Sequence, residues 1–241
     1  MPGEAQITCD TLLRGRVTLL QPRQGLRSSL DPILLVGFLA PPYRRFLDIG
    51  CASGALSFLL LARDPDACGV GVEIQPRLAE LAEQGRGANG LTDRFTVVTG
   101  DARSASMVAA ASFDLVVINP PFRRVGTGVL PPLPEKAIAY HEVTLALAEW
   151  LEVAVRALRS GGRLATIFPF ERWPELRDGC AGRGLAIARF RPVLARAGAR
   201  PGRVLIEARR GLAETVNEPP LVVHEQGGYS AEVRRMLGEA A

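Results

Sequence analysis

The sequence predicts a doubly wound α/β protein: a mostly parallel, seven-stranded sheet preceded by an N-terminal β/helix extension. Three observations lead there. From residue 46 onward, short apolar runs alternate with helical patterns, the order that builds a parallel sheet with helices on both faces. The first run breaks into Gly50-Cys51-Ala52-Ser53-Gly54 and then a helical pattern. Strand, glycine loop and helix in that order bring a ligand against bare backbone and a helix N-terminus. The four successive runs carry Asp48, Glu73, Asp101 and Asn119 at or just beyond their C-terminal ends, and open α/β sheets bind ligands at strand C-termini.

The elements follow in order. Residues 7–21 have β-type content, and a helix starts at Asp31-Pro32, with Asp31 as N-cap and Pro32 at the first helical position. Strand one is 46–49 with its helix at 55–63; strand two is 67–74 with its helix at 76–90, where Leu78, Leu81 and Ala82 share a face. Strands three and four are 95–99 and 113–118. Residues 123–139, rich in proline and glycine, read as a loop. A helix at 140–159 stops at Ser160-Gly161-Gly162, and strand five is 163–168. A helix at 173–181 and strands near 185–193 and 203–210 close the sheet. One domain is expected: an extension at 1–42, a core at 43–211 and a polar tail at 212–241 ending in a short helix.

Composition narrows the class. At 241 residues and 47% hydrophobic content the chain can bury a full core, yet its longest apolar runs are far too short to span a membrane. No leader pattern of a basic then an apolar segment opens the chain, so a cytoplasmic protein is expected. The four cysteines are scattered and there are two histidines, which leaves no metal site to expect. Cys51 reads as a small loop residue rather than a nucleophile, since no histidine is near it in sequence. Net charge is +4 and Lys136 is the only lysine among 29 cations. Arginine enrichment fits either coding bias or phosphate contact. Arg14, Arg16, Arg23 and Arg27, then Arg123 and Arg124, then Arg196, Arg200 and Arg203 form local groups that could share one face.

The most telling segment is Asn119-Pro120-Pro121-Phe122 after strand four. The Asn119 side-chain carbonyl and the Pro120 backbone carbonyl accept hydrogen bonds, the prolines restrict the chain, and Phe122 offers a flat face. That set suits an exocyclic amino nitrogen. Alone it would be a turn. Glu73, 25 residues after Asp48, is spaced to accept from ribose hydroxyls, although it could be a solvated strand end. Asp101 could accept from an adenine amino group or close an Asx turn, and Asp48 could simply cap the next helix.

Asp48 to Gly54, Glu73, Asp101 and Asn119 to Phe122 resemble the signature of class I S-adenosylmethionine-dependent methyltransferases that act on amino or amide nitrogens. Residues 21–31, His141-Glu142, and Val223-His224-Glu225 to Tyr229 resemble the bacterial valine-tRNA adenine-N6 methyltransferase family. The resemblance implies S-adenosylmethionine as cofactor, bound by Asp48, Gly50, Gly54, Glu73, Asp101 and Asn119, with Gln21 and Arg27 at its mouth. It implies catalysis by Asn119, Pro120 and Phe122, and RNA contact through Phe122, Arg123 and Arg124. It also implies a reversed strand at 203–210 and a tRNA adenine as substrate. Relatives sharing the amide motif act on rRNA guanine or on protein glutamine. One departure stands out: Ala52 occupies a position where the family usually has glycine, and alanine does not adopt φ > 0 cheaply. Read alone, it would favour a non-catalytic RNA-binding module.

Overall fold

The computed structural model describes residues 7–120 and 145–239. Strands β1 (Ile7–Leu12) and β2 (Val17–Pro22) form an antiparallel hairpin. Helix α1 (Asp31–Phe38) leads to β3 (Arg45–Ile49), α2 (Ala55–Arg63), β4 (Cys68–Glu73), α3 (Pro76–Ala88), β5 (Phe95–Thr99) and β6 (Phe113–Ile118). After the undescribed segment come α4 (Leu147–Ala157), β7 (Leu158–Pro169), α5 (Trp173–Ala181), β8 (Leu185–Arg196) and β9 (Pro201–Arg210). Strands β10 (Val216–Asn217), β11 (Leu221–Glu225) and β12 (Gly228–Tyr229) precede α6 (Ala231–Met236).

The main sheet runs β12-β11-β8-β9-β7-β6-β3-β4-β5, with β10 beside β8. Its seven expected core strands are present, parallel except for the reversed β9. The central strands are buried on both faces: Leu115, Val116, Val117 and Ile118 of β6 are all at most 1% exposed. One face packs under α1 and α2, where Phe58 meets Phe95 edge-on with ring centroids 5.7 Å apart. The other packs under α4 and α5 around Trp150 and Phe168. Among the described residues, no helix is long and apolar enough to cross a membrane.

Several expectations need correcting. Asp31 is the first helical residue, not the N-cap. Leu30 takes that place with helix-like angles, and no side chain caps the helix. The chain leaves α4 at Leu158, before Ser160, so Gly161-Gly162 is not a helix stop. It lies inside β7, at the irregularity where pairing with β6 slips between Phe113 and Leu115. The positive φ of Gly161 serves that bulge. Residues 212–239, expected as a polar extension ending in a short helix, do end in helix α6 but also carry three unexpected strands. Strands β10, β11 and β12 extend the sheet, burying Leu221 completely and Val223 nearly so, and α6 docks through Val233. The loop expected at 123–139, and the start of the helix expected at 140, lie outside the described residues.

Glycines in β4 let the sheet accept what lies above it. A methyl group on Gly71 would come within 2.7 Å of both Cys51 Sγ and the Phe95 ring. Gly71→Ala should therefore cost about 1–3 kcal/mol by overpacking. Urea unfolding checks this, with the midpoint falling at unchanged slope.

Candidate active site

The loop between β3 and α2 is held by strand β4. The Gly50 and Cys51 amides both donate to the Val72 carbonyl, at 2.8 and 3.2 Å, and the Gly54 amide donates back to the Cys51 carbonyl at 2.8 Å. Gly50, Ala52 and Gly54 have φ of 70°, 48° and 90°. The loop thus visits the left-handed region three times in five residues. Only Ala52 does so with a side chain.

Two buried carboxylates lie beside this loop. Asp48 is 1% exposed and its Oδ2 accepts from the Ser57 hydroxyl at 2.7 Å. Burial pushes its pKa up to about 7; the Ser57 hydrogen bond opposes that and the neighbouring Glu73 charge adds to it. Glu73 is 5% exposed, and its two oxygens accept from the amides of Ala52 (2.9 Å) and Gln75 (2.8 Å). Burial raises its pKa too, opposed by those backbone hydrogen bonds. Neither carboxylate has an ion-pair partner among the described residues. Burial and the same two carboxylates hold the Cys51 thiol well above its ordinary range, which suits a packed loop residue and not a nucleophile.

Asp48, Gly50, Glu73, Asp101, Asn119, Pro120 and Arg27 all line one cavity of about 310 Å³ at the C-terminal edge of the sheet. Asn119 follows β6, and its Oδ1 is buried with no hydrogen-bond partner among the described residues. Asp101 does close an Asx turn, accepting from the Arg103 amide at 2.9 Å, and its carboxylate is also gripped by the Arg103 guanidinium. That pairing holds its pKa below the ordinary value. Arg103 reaches on to Glu149 of α4 at 2.8 Å, which ties the β5 loop to the chain just past the undescribed segment.

Two expected residues stand back from the cavity. Gly54 packs against the Phe58 ring, where any Cβ would collide, so its place is structural. Gln21 does not line the cavity. Its amide donates to Asp10 at 2.9 Å and accepts from the Ser28 amide at 2.6 Å, so it positions the cavity wall from behind. Arg27, on the wall itself, donates to Thr8, Pro22 and Asp10. Arg16 donates to the Ala62 carbonyl at the far end of α2, so it turns away from this edge. Phe122, Arg123, Arg124, His141 and Glu142 lie outside the described residues.

Ile74, Asp31 and Arg203 also line the cavity, though none was among the expected cofactor contacts. Ile74 keeps 38% exposure, an apolar face directly after Glu73. Asp31 and Arg203 also face the cavity, 3.7 Å apart, and join α1 to β9. Burial raises the Asp31 pKa, with the Arg203 charge opposing. The exposed Ile74 has a local signal, an apolar residue past the polar strand end. The Asp31–Arg203 pair has none, being set by topology.

The comparisons with known proteins accord with this geometry. A family model described as methyltransferase small domain matches residues 31–170. The chain belongs to that family. A tRNA1(Val) (adenine(37)-N6)-methyltransferase of Porphyromonas gingivalis is 33% identical over 189 residues, 76% of this chain and 73% of that one. One of Aeromonas hydrophila is 30% identical, covering 86% of each. Among solved structures, a predicted O-methyltransferase of Agrobacterium tumefaciens aligns with TM-score 0.70 at 22% identity, covering 88% of this chain and 98% of that one. P. horikoshii TYW2 aligns with TM-score 0.59 at 15% identity, covering 86% and 72%. The protein is an S-adenosylmethionine-dependent methyltransferase, so the non-catalytic reading of Ala52 does not hold.

The cavity fits that cofactor. Two buried carboxylates without cationic partners among the described residues favour a positively charged ligand. The volume lies in the range of small-molecule sites. Among the described residues, no cluster could hold a metal ion.

Two predictions follow from the loop. Ala52→Gly should raise stability by up to about 1 kcal/mol, because release of left-handed strain outweighs the added unfolded-state entropy. A thermal or urea midpoint that falls instead would contradict the strain. For Asp48, the folded pKa of about 7 lies above the ordinary 3.8, so the folded protein binds this proton more tightly. The stability it contributes is complete below about pH 4 and is lost as pH rises through 7. Relative to Asp48→Asn, the cofactor-free wild type should lose a few kcal/mol at most over that window. Urea unfolding across the pH series checks it; a constant difference would exclude the coupling.

Proposed function

We propose that the protein transfers the methyl group of S-adenosylmethionine to an exocyclic amino nitrogen of a nucleobase, adenine N6 in a tRNA. The observation that carries the reading is Asn119, which lines the same cavity as Asp48 and Glu73 and whose buried Oδ1 has no hydrogen-bond partner among the described residues. The relatives curated as tRNA1(Val) (adenine(37)-N6)-methyltransferases support the substrate class.

In this reading Glu73 receives the ribose hydroxyls, Asp48 orders the loop beside the methionine ammonium, and Gly50 keeps the backbone bare. Asp101 faces the adenine amino group while sharing its carboxylate with Arg103, and Ile74 covers one face of that ring. Gln21 acts indirectly, by fixing Ser28 and the wall that carries Arg27. Residues 7–42 cover the cofactor site, 43–211 carry the catalytic core and 212–239 add an edge beyond it.

When bound, the cofactor supplies an electrophilic methyl group on a sulfonium. The chain has to place a poor nucleophile, since an aromatic amine shares its lone pair with the ring. Asn119 Oδ1 and the Pro120 carbonyl would accept its two hydrogens, favour tetrahedral geometry and turn the lone pair toward the methyl. No strong base is required, because the nitrogen becomes acidic only once methylated and water can take the proton. Phe122 would stack on a base taken out of its stack, and Arg123 and Arg124 would meet phosphates. An unpaired loop base is less costly to extrude.

Asn119→Ala should lower methyl transfer at least about 100-fold, as losing a preorganised polar contact at a reacting group does. S-adenosylmethionine affinity by calorimetry should stay near wild type; unchanged turnover would remove Asn119 from its role. Labelled methyl should enter tRNA and not protein fractions. Nucleoside mass spectrometry of tRNA from a deletion strain should show loss of an N6-methyladenosine.

A further inference from the structure

The C-terminal hairpin holds groups that the methyl-transfer reading leaves unused. β11 pairs parallel with β8, which puts His224 opposite Arg196. β12 folds back so that Tyr229 lies across from His224. The two rings stack with centroids 5.0 Å apart and planes 20° from parallel. Both are exposed, Tyr229 by 38%. With Arg196 and Gly227-Gly228, His224 lines an open depression.

A cross-strand ring pair can serve only to hold a hairpin. Here the tail is already anchored elsewhere: Leu221 and Val233 are fully buried, the Ser230 hydroxyl caps α6, and Arg191 grips Glu232 at 2.6 Å. The charges differ from their surroundings too. Arg189, Arg191 and Arg203 on the neighbouring strands have ion-pair partners. Arg196 and Arg200, at the β8–β9 turn, are exposed and form no ion pair with a described residue. Glu225 is the one acid of the hairpin itself, set against these two cations.

The topology aims this surface at the site. β8 and β11 both run parallel to the core strands, so their C-terminal ends lie on the cavity edge. Arg203 lines the cavity and pairs with Val193 of β8, which in turn pairs with Leu221. His224 is thus two strand spacings across from Arg203 and three residues further out, about 10 Å in each direction.

We propose that the His224–Tyr229 pair with Arg196 and Arg200 is a second RNA contact, one that stacks an unpaired nucleobase next to the modified one and holds its flanking phosphates. It rests on the RNA-substrate reading and extends it. Aromatic faces bind bases with little regard to sequence, and guanidiniums beside them meet the backbone. A small, polar, charged patch does not suit a protein partner, which would need a larger contact.

The test uses the full-length enzyme and unfractionated tRNA. Steady-state methyl transfer and filter binding at several salt concentrations are measured for H224A/Y229A, Y229F and R196A/R200A. H224A/Y229A should raise the KM for tRNA about 5- to 100-fold. Its kcat at saturating tRNA and its S-adenosylmethionine affinity should stay within about twofold, since the pair acts in docking alone. Y229F, which keeps the ring, should stay near wild type. R196A/R200A should weaken tRNA binding and shallow its salt dependence by about 1–2 in log–log slope. Normal KM and salt slope in both multiple variants, with tRNA methylated by wild type, overturn the second contact but leave the substrate reading intact. If wild type binds and methylates no RNA, both fall together. Should H224A/Y229A fail to fold, seen as lost cofactor binding, R196A/R200A decides alone, because its side chains are exposed.

Discussion

The geometry of the site depends on two buried carboxylates that have no cationic partner among the described residues. Isolated burial of that kind is costly unless hydrogen bonds compensate. Asp48 takes a hydroxyl from Ser57, and Glu73 takes two backbone amides. The second arrangement ties the loop to β4. Residue 52 gives its N–H to Glu73 and also sits in the left-handed region, at φ 48° although it is alanine. Two such carboxylates favour a cationic ligand in the cavity they line.

Around this centre, remote parts of the chain are pulled to one rim. Asp10 of the first hairpin accepts from Thr8, Gln21 and Arg27, and so fixes the turn that presents Leu26–Ser29 to the cavity. Asp31 meets Arg203 from the other end of the core. Asp101, Arg103 and Glu149 make a third link, from the β5 loop to α4. Each joins a cavity-lining residue to an element distant in sequence, so the rim is held by long-range polar contacts rather than by the apolar core beneath it. The exposed pairs among them, Asp10–Arg27 and Asp101–Arg103–Glu149, contribute little stability each. Their value is positional.

What could be read from sequence divides along the same line. The strand–loop–helix units were legible because their signals are local: β5, β6, α2 and α5 lie where apolar runs, glycines and spacing put them. The convergence of Asp48, Glu73, Asp101 and Asn119 was legible for the same reason, since each marks the end of its own strand. Errors arose where a local signal had two uses. Asp31-Pro32 reads as cap and first turn, but Leu30 already has helical angles, so the carboxylate is released toward Arg203. Ser160-Gly161-Gly162 reads as a helix stop, yet glycine also makes bulges, and β7 uses it so. Gln21 and Gly54 were expected at the cofactor, but neither lines the cavity. Their side-chain partner or packing ring places them behind the wall. The tail was missed because three short strands, two of only two residues, carry too little periodicity to register.

The reversed strand explains why that tail matters. β9 runs against both β7 and β8, so the two reversals cancel and β8 regains the direction of the core. A strand added parallel to β8 therefore ends on the same edge as β3, β4 and β6, where the cavity opens. Had β9 been parallel, the Arg203 end of that strand would face the opposite rim and could not meet Asp31. One inversion in the sheet thus does two things. It carries Arg203, an N-terminal strand residue, to a ligand edge otherwise built from strand C-termini. It also lets every strand laid down beyond β8 widen that edge instead of the inert one.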